Sequence, residues 1–195
     1  MTRLFAGIAA LTLGATAALG EPHRYELDPE HTTIAFLVDH LGYADTLGLF
    51  LTFEGGFTYD MDTQDLSDVI ITVQTASVES FNEARDGHVR SGDFLNVETF
   101  PVMTFTATGG TPTSATTGTV EGELNLLGQT HPLTLDVTLN KAAKYPFGHG
   151  RFTLGLSARG TVTRSAYGMT YAVDNGFVGD EVQLILETEA MRIDE

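Results

Sequence analysis

Leu133-Thr134-Leu135-Asp136-Val137-Thr138-Leu139 alternates apolar and polar residues at every step. Successive side chains of a strand point to opposite faces, so this stretch gathers its aliphatic groups on one side and its polar groups on the other. A helix would scatter the same residues around its circumference. The period recurs outward in both directions. Ile34, Phe36, Val38 and His40 alternate with Ala35, Leu37 and Asp39. So do Val69, Ile71 and Val73, Met103 and Phe105, Val120, Gly122 and Leu124, Phe152, Leu154, Leu156 and Ala158, and Val182, Leu184 and Leu186. Thr72, Thr104, Thr106, Thr134, Thr138, Thr153, Thr161 and Thr163 fall on the opposite parity, where β-branching suits an outward pleated surface.

Turn-forming residues punctuate these runs: Gly55-Gly56, Asp60 to Asp65, Gly109 to Gly118, Gly128-Gln129-Thr130, Tyr145 to Gly150 and Asp174-Asn175-Gly176. Many short strands with turns between them predict an all-β fold, an antiparallel closed β-barrel of about eight strands. One segment, near residues 79–96, breaks the pattern. Asn82, Glu83, Ala84, Arg85, Asp86, His88, Val89 and Arg90 suit a short helix, Ser91-Gly92-Asp93 ends it, and Phe94 and Leu95 turn inward. Lying between strands, it is expected to cover one end of the barrel. Small inward residues, Ala35 or Ala158, Gly122 and Gly160, are expected to leave space beside the large ones.

The first twenty residues read differently. Arg3 is the only charge before the apolar run Leu4 to Ala15, and Ala18 and Gly20 stand at the small-residue positions of a signal-peptidase site. Residues 1–20 are therefore expected to be a cleaved secretory signal, leaving 21–195 as a single barrel domain in the periplasm. The chain has no cysteine, so no lipoprotein anchor and no disulfide enter the reading. Ten Lys and Arg oppose 26 Asp and Glu, a net charge of −16 that argues against nucleic acid as a partner.

Several blocks together resemble the YceI-like family of secreted polyisoprenoid-binding proteins, whose barrels are lipocalin-like. They are Tyr25-Glu26-Leu27-Asp28 with His31, Phe36, His40-Leu41-Gly42, Gly48-Leu49-Phe50, Arg85 to Phe94, Phe100-Pro101 and Phe105. Gly122-Glu123-Leu124, Gly128 to Pro132, Arg164 to Met169 and Val178 to Val182 follow in the family's order. Thr32, Val89, Leu95 and Leu156 depart from it mildly. The resemblance implies a barrel, often a homodimer, holding an isoprenoid lipid or quinone as its ligand and needing no other cofactor.

Parity and resemblance together make Ile34, Phe36, Val38, Phe50, Phe53, Val73, Met103, Phe105, Leu124, Leu135, Val137, Leu154, Leu156, Val162 and Leu184 the candidate apolar tunnel. His40 and Arg164 are candidates for its polar mouth, Arg164 equally for a buried ion pair. Arg85, Asp86, His88 and Asp93 read as a structural network pinning the helix, since no nucleophile elbow surrounds Ser91. His31 and His40, at odd spacing, fall on opposite faces of a strand, and no metal site is expected from them. The first expectation is thus a non-catalytic lipid carrier. The alternatives are a binder of another long-chain lipid, such as a fatty amide, a protein assisting a membrane redox partner through transient membrane contact, or an enzyme acting on a lipid.

Overall fold

The structure is a computed structural model that describes residues 20–194; the expected leader, up to residue 19, lies outside the described residues. In chain order the strands are β1 (His23–Leu27), β2 (Thr33–His40), β3 (Ala44–Phe50), β4 (Phe53–Tyr59), β5 (Leu66–Gln74) and β6 (Val78–Glu79). After the helix α1 (Glu83–Arg90) come β7 (Val102–Ala107), β8 (Thr111–Pro112), β9 (Thr117–Leu126), β10 (Gln129–Lys144), β11 (Phe152–Thr163) and β12 (Val178–Arg192).

Six of these segments are halves of three longer staves. β12 pairs with β2 from Val182↔Val38 to Glu187↔Thr33 and then with β1 from Ala190↔Leu27 to Arg192↔Tyr25. Pro29, which has no N–H to give a ladder, sits in the break between β1 and β2. β3 and β4 part at Leu51-Thr52, and a 3₁₀ turn at Thr75–Ser77 separates β5 from β6. Among the described residues the ring is therefore β1/β2, β3/β4, β5/β6, β7, β9, β10, β11 and β12, every neighbouring pair antiparallel. The pairing of β12 with β1 and β2 closes it: an eight-stave up-and-down barrel, with one short helix, as the periodicity predicts. Register shifts at Gly56/Thr58, Leu139/Lys141 and Val178/Val182 supply local bends of the kind a closed sheet requires.

Inward parity places Tyr25, Val73, Phe105, Leu124, Leu135, Leu154 and Val162 in one buried cluster. Tyr25 and Phe57 stack across β1 and β4 with ring centroids 5.5 Å apart. Thr153, expected outside, is buried, its hydroxyl donating to the Arg151 carbonyl (3.2 Å). The expectation that Gly122 and Gly160 leave space is corrected. A Cβ on Gly122 would fall 2.5 Å from Cζ of Phe105, and one on Gly160 2.8 Å from a Leu135 methyl. Gly48 likewise receives the Phe36 ring. Each glycine is filled by a large neighbour rather than left open.

The helix forms where the sequence places it. The Asn82 side chain accepts the Arg85 amide hydrogen bond (3.0 Å), satisfying one of the amides that the first turn leaves free, and Ser91 ends the helix.

Candidate functional site

Two apolar chambers run along the barrel axis, of about 170 Å3 and about 180 Å3. A water centre needs only about 10–15 Å3, so these are not packing defects. Ile71, Phe105, Leu135 and Leu186 line both chambers and form the waist between them. At the helix end, Val89, Phe94 and Leu95 from the segment around α1 and Met169 from the loop after β11 line the chamber. The segment expected to cover one end does so. At the other end, the chamber lies under the β4–β5 turn and the β7–β9 loop, with Tyr59, Gln64, Thr111 and Thr119 in its wall.

Of the expected tunnel residues, Ile34, Phe36, Val38, Phe50, Val73, Met103, Leu124, Val162 and Leu184 line the helix-end chamber. Val137, Leu154 and Leu156 line the loop-end chamber, and Phe105 and Leu135 the waist. Phe53 does not follow: it packs against the core but lines neither chamber. Leu27, Phe57, Leu66 and Leu139 are wall residues that the sequence list omits. Parity within β4 and β10 carries Phe57 and Leu139, spaced by even steps from Phe53 and Val137.

The mouth candidates separate. His40 is exposed at the last position of β2 and lines neither chamber, so its inward parity has no wall to act on. Arg164 is 2% exposed and lines the helix-end chamber. It is neither in a direct ion pair nor directed at the cavity. Nε donates to the Gly179 carbonyl (2.7 Å), one terminal nitrogen to Met169 (2.8 Å), and the other to Tyr171 (2.9 Å) and Val178 (2.8 Å). Phe94 covers the guanidinium at 5.7 Å. Burial lowers its pKa, and the charge of Asp180, itself bonded to Ser165, pushes back.

Arg85, Asp86, His88 and Asp93 form contacts that hold the helix. Arg85 donates to the Ser80 hydroxyl (2.7 Å) and carbonyl (2.6 Å), while Asp86 accepts from the Ser80 amide (2.8 Å) and hydroxyl. These bonds from Ser80 outweigh burial and keep the Asp86 carboxyl below the usual range. His88 Nε2 pairs with Asp93 (2.9 Å) and meets Phe94 and Tyr171 edge-on. Arg90 reaches the carbonyls of Ala76 (2.9 Å) and Val78.

A further constellation gathers at the β1/β2 break, where His31 makes the turn and strand-entry hydrogen bonds its position in the sequence suggests. His31 Nδ1 lies 2.7 Å from Asp28 Oδ2 and 3.8 Å from Glu189 Oε2, which β12 brings alongside the β1/β2 break. The short Asp28–His31 spacing is its only local signal. The hydrogen bond to Asp28 raises the His31 pKa. Burial pushes Asp28 up, but hydrogen bonds from His31 and the Glu30 amide leave it below its ordinary value.

Known proteins share this architecture. The family model described as the YceI-like domain matches residues 25–190. A UPF0312 protein of Yersinia enterocolitica is 35% identical over 95% of this chain and 94% of its own. The crystal structure of Burkholderia cenocepacia BcnA superposes with a TM-score of 0.75 at 20% identity, covering 85% of this chain and 99% of that one. A polyisoprenoid binding domain from Saccharophagus degradans, implicated in plant cell wall breakdown, superposes with a TM-score of 0.60 at 13% identity over 87% of this chain and 98% of its own.

Proposed function

Since the chain belongs to the YceI-like family, we propose that it is a soluble, non-catalytic carrier, exported to the periplasm, that holds an isoprenoid-type lipid, polyprenyl or quinone, inside its barrel. The observation that carries this is the pair of apolar chambers joined at the waist of Ile71, Phe105, Leu135 and Leu186. An elongated dry cavity shelters a chain whose every CH₂ gains about 0.8 kcal/mol on leaving water. Branched walls of Leu, Ile and Val, with Phe rings at the waist and helix end, suit a methyl-branched tail by shape rather than by directed bonds. The likeness in fold to a polyisoprenoid binding domain supports the ligand class.

Capture is by equilibrium partition, and the segment carrying Val89, Phe94 and Leu95 is the part that moves to admit the tail. The test is mass spectrometry of an organic extract from protein exported by its own leader and purified without detergent. A stoichiometric prenyl lipid or quinone is expected. Another stoichiometric lipid replaces the ligand class, and an empty extract from protein that also takes up no added polyprenol or quinone overturns the carrier reading.

A further inference from the structure

The geometry points to a divalent-cation site of the zinc class at the barrel seam, with Asp28, His31 and Glu189 as its protein ligands. None of the three lines either chamber, and the inference does not depend on the carrier reading.

The ligand set comes first. Among the described residues, these three form the one group of histidine and acidic side chains whose ligating atoms all lie within 4.8 Å of one another. His31 Nδ1 is 2.7 Å from Asp28 Oδ2 and 3.8 Å from Glu189 Oε2. Ligands on a tetrahedral zinc ion, each about 2.0–2.2 Å from the metal, stand about 3.3–3.5 Å apart. The two observed separations bracket that spacing, so small side-chain adjustments complete the set. One imidazole nitrogen with two carboxylate oxygens suits Zn2+ better than Mg2+ or Ca2+, which take oxygen shells of higher coordination number.

Glu189 Oε2 supplies an independent observation. It is shielded from solvent and accepts no hydrogen bond, although the Tyr145 phenol neighbours the same carboxylate. His31 Nδ1, at 3.8 Å, is too far away to donate to it and already faces Asp28. A shielded carboxylate oxygen without a partner is costly. An ion bonded to Nδ1 and to both carboxylates satisfies that oxygen. It also takes the place of the proton that joins His31 to Asp28 in the metal-free protein.

The backbone holds the three residues together before any ion arrives. The Asp28 amide donates to the Glu189 carbonyl (2.8 Å), the Glu189 amide to the His31 carbonyl (3.3 Å) and the His31 amide to the Asp28 carbonyl (3.2 Å), a closed triangle. Asp28 Oδ1 accepts the Glu30 amide hydrogen bond (2.9 Å), which leaves Oδ2 turned toward His31. Bonds of this kind fix the orientation of metal ligands. Asp28 is buried while the His31 side chain is 46% exposed, so an ion reaches the site from solvent and water can fill its remaining positions. Asp28 and His31 belong to the break between β1 and β2, and Glu189 belongs to β12. The bound ion is therefore a staple across the strands that close the ring.

Isothermal titration of the chelator-treated protein with Zn2+, repeated with Mg2+ and Ca2+, tests the inference. One zinc per chain is expected, with a Kd of about 1 μM or below. Zinc should also raise Tm, as any ligand confined to the native state does. His31→Ala and Glu189→Gln are each expected to weaken zinc binding by more than about tenfold. Circular dichroism checks that both variants fold, and the near-isosteric Glu189→Gln keeps the test in force if His31→Ala does not. Zinc that binds both variants as tightly as the wild type overturns the inference and reports only the general attraction of a chain of net charge −16. Ca2+ or Mg2+ binding as tightly as Zn2+ overturns the zinc-class assignment, and the absence of a stoichiometric zinc overturns the site. Each of these failures leaves the carrier reading standing.

Discussion

Gly48 of β3 lies directly opposite Phe36 of β2, and a Cβ added to Gly48 would fall 2.1 Å from the Cζ of that ring. The glycine is a seat for the aromatic ring. Phe36 lines the helix-end chamber and leans on Phe50 with centroids 5.6 Å apart, so the seat sets how far the ring projects into the cavity.

Gly48→Ala is expected to push the Phe36 ring into the helix-end chamber. Overpacking of this kind costs about 1–3 kcal/mol of stability. Affinity for long prenyl tails should fall about tenfold while a tail short enough to stay in the loop-end chamber binds as before. Titration with two tail lengths checks this; equal losses for both would place the ring elsewhere.

Arg164 satisfies four backbone carbonyls from the loop after β11 and from β12. Lysine cannot reproduce that fork, and each buried acceptor left without a donor costs about 1–3 kcal/mol. Arg164→Lys should lower Tm by about 5–15 °C in calorimetry. An unchanged Tm would mean that these carbonyls find other donors.

Asp86 holds the Ser80 amide and hydroxyl, and so the start of the helical segment. In the native protein, amides of residues 83–97 should exchange faster than those of β10 and β11, and added ligand should slow them. Asp86→Ala should speed them further. Exchange as slow as in the central strands, with and without ligand, would rule out this segment as the moving part.

The Asp28–His31 pair predicts a pH profile. His31 is raised, so its contribution is complete below the unfolded value of about 6.5 and is lost as pH rises through the raised one. Asp28 is lowered, so its contribution is present above about 3.9 and disappears as pH falls through the depressed value. Stability from this pair is therefore greatest between about pH 4 and pH 6.5. His31→Asn should remove the part of the alkaline decline that the wild type shows beyond that window. Melting curves at constant ionic strength check it, and superimposable alkaline limbs would show that the pair carries no such linkage.

Much of the wall was legible because parity is a local property. Leu133, Leu135, Val137 and Leu139 face the core wherever their strand goes, and Val38, Phe105 and Val162 follow the same rule. Parity failed where the barrel runs out. His40 has the inward phase of Val38 but stands at the strand's last position, exposed. Phe53 faces the core at the edge of the break between β3 and β4, off the chambers. Contacts made by chain reversal were hidden for a different reason. The carbonyls that hold Arg164 carry no side-chain signature, and Glu189 reaches His31 only because β12 closes the ring. Gly122 and Gly160 misled because a missing Cβ signals either a void or a close neighbour, and only the structure shows Phe105 and Leu135 in those places.

The seam between Tyr25 and Arg192 has a kinetic consequence. It joins the first strand to the last, so the ring cannot be sealed until nearly the entire chain is on hand. Loop-closure entropy makes so distant a pairing slow, and meander barrels as a class fold late relative to local hairpins. Until that moment β1/β2 and β12 are open edges beside an exposed aliphatic face, the form in which a β-protein most readily joins the wrong neighbour. A chain that meets its apolar guest before sealing would have that face covered during its most vulnerable interval, and the guest would then act as a template for assembly as well as cargo.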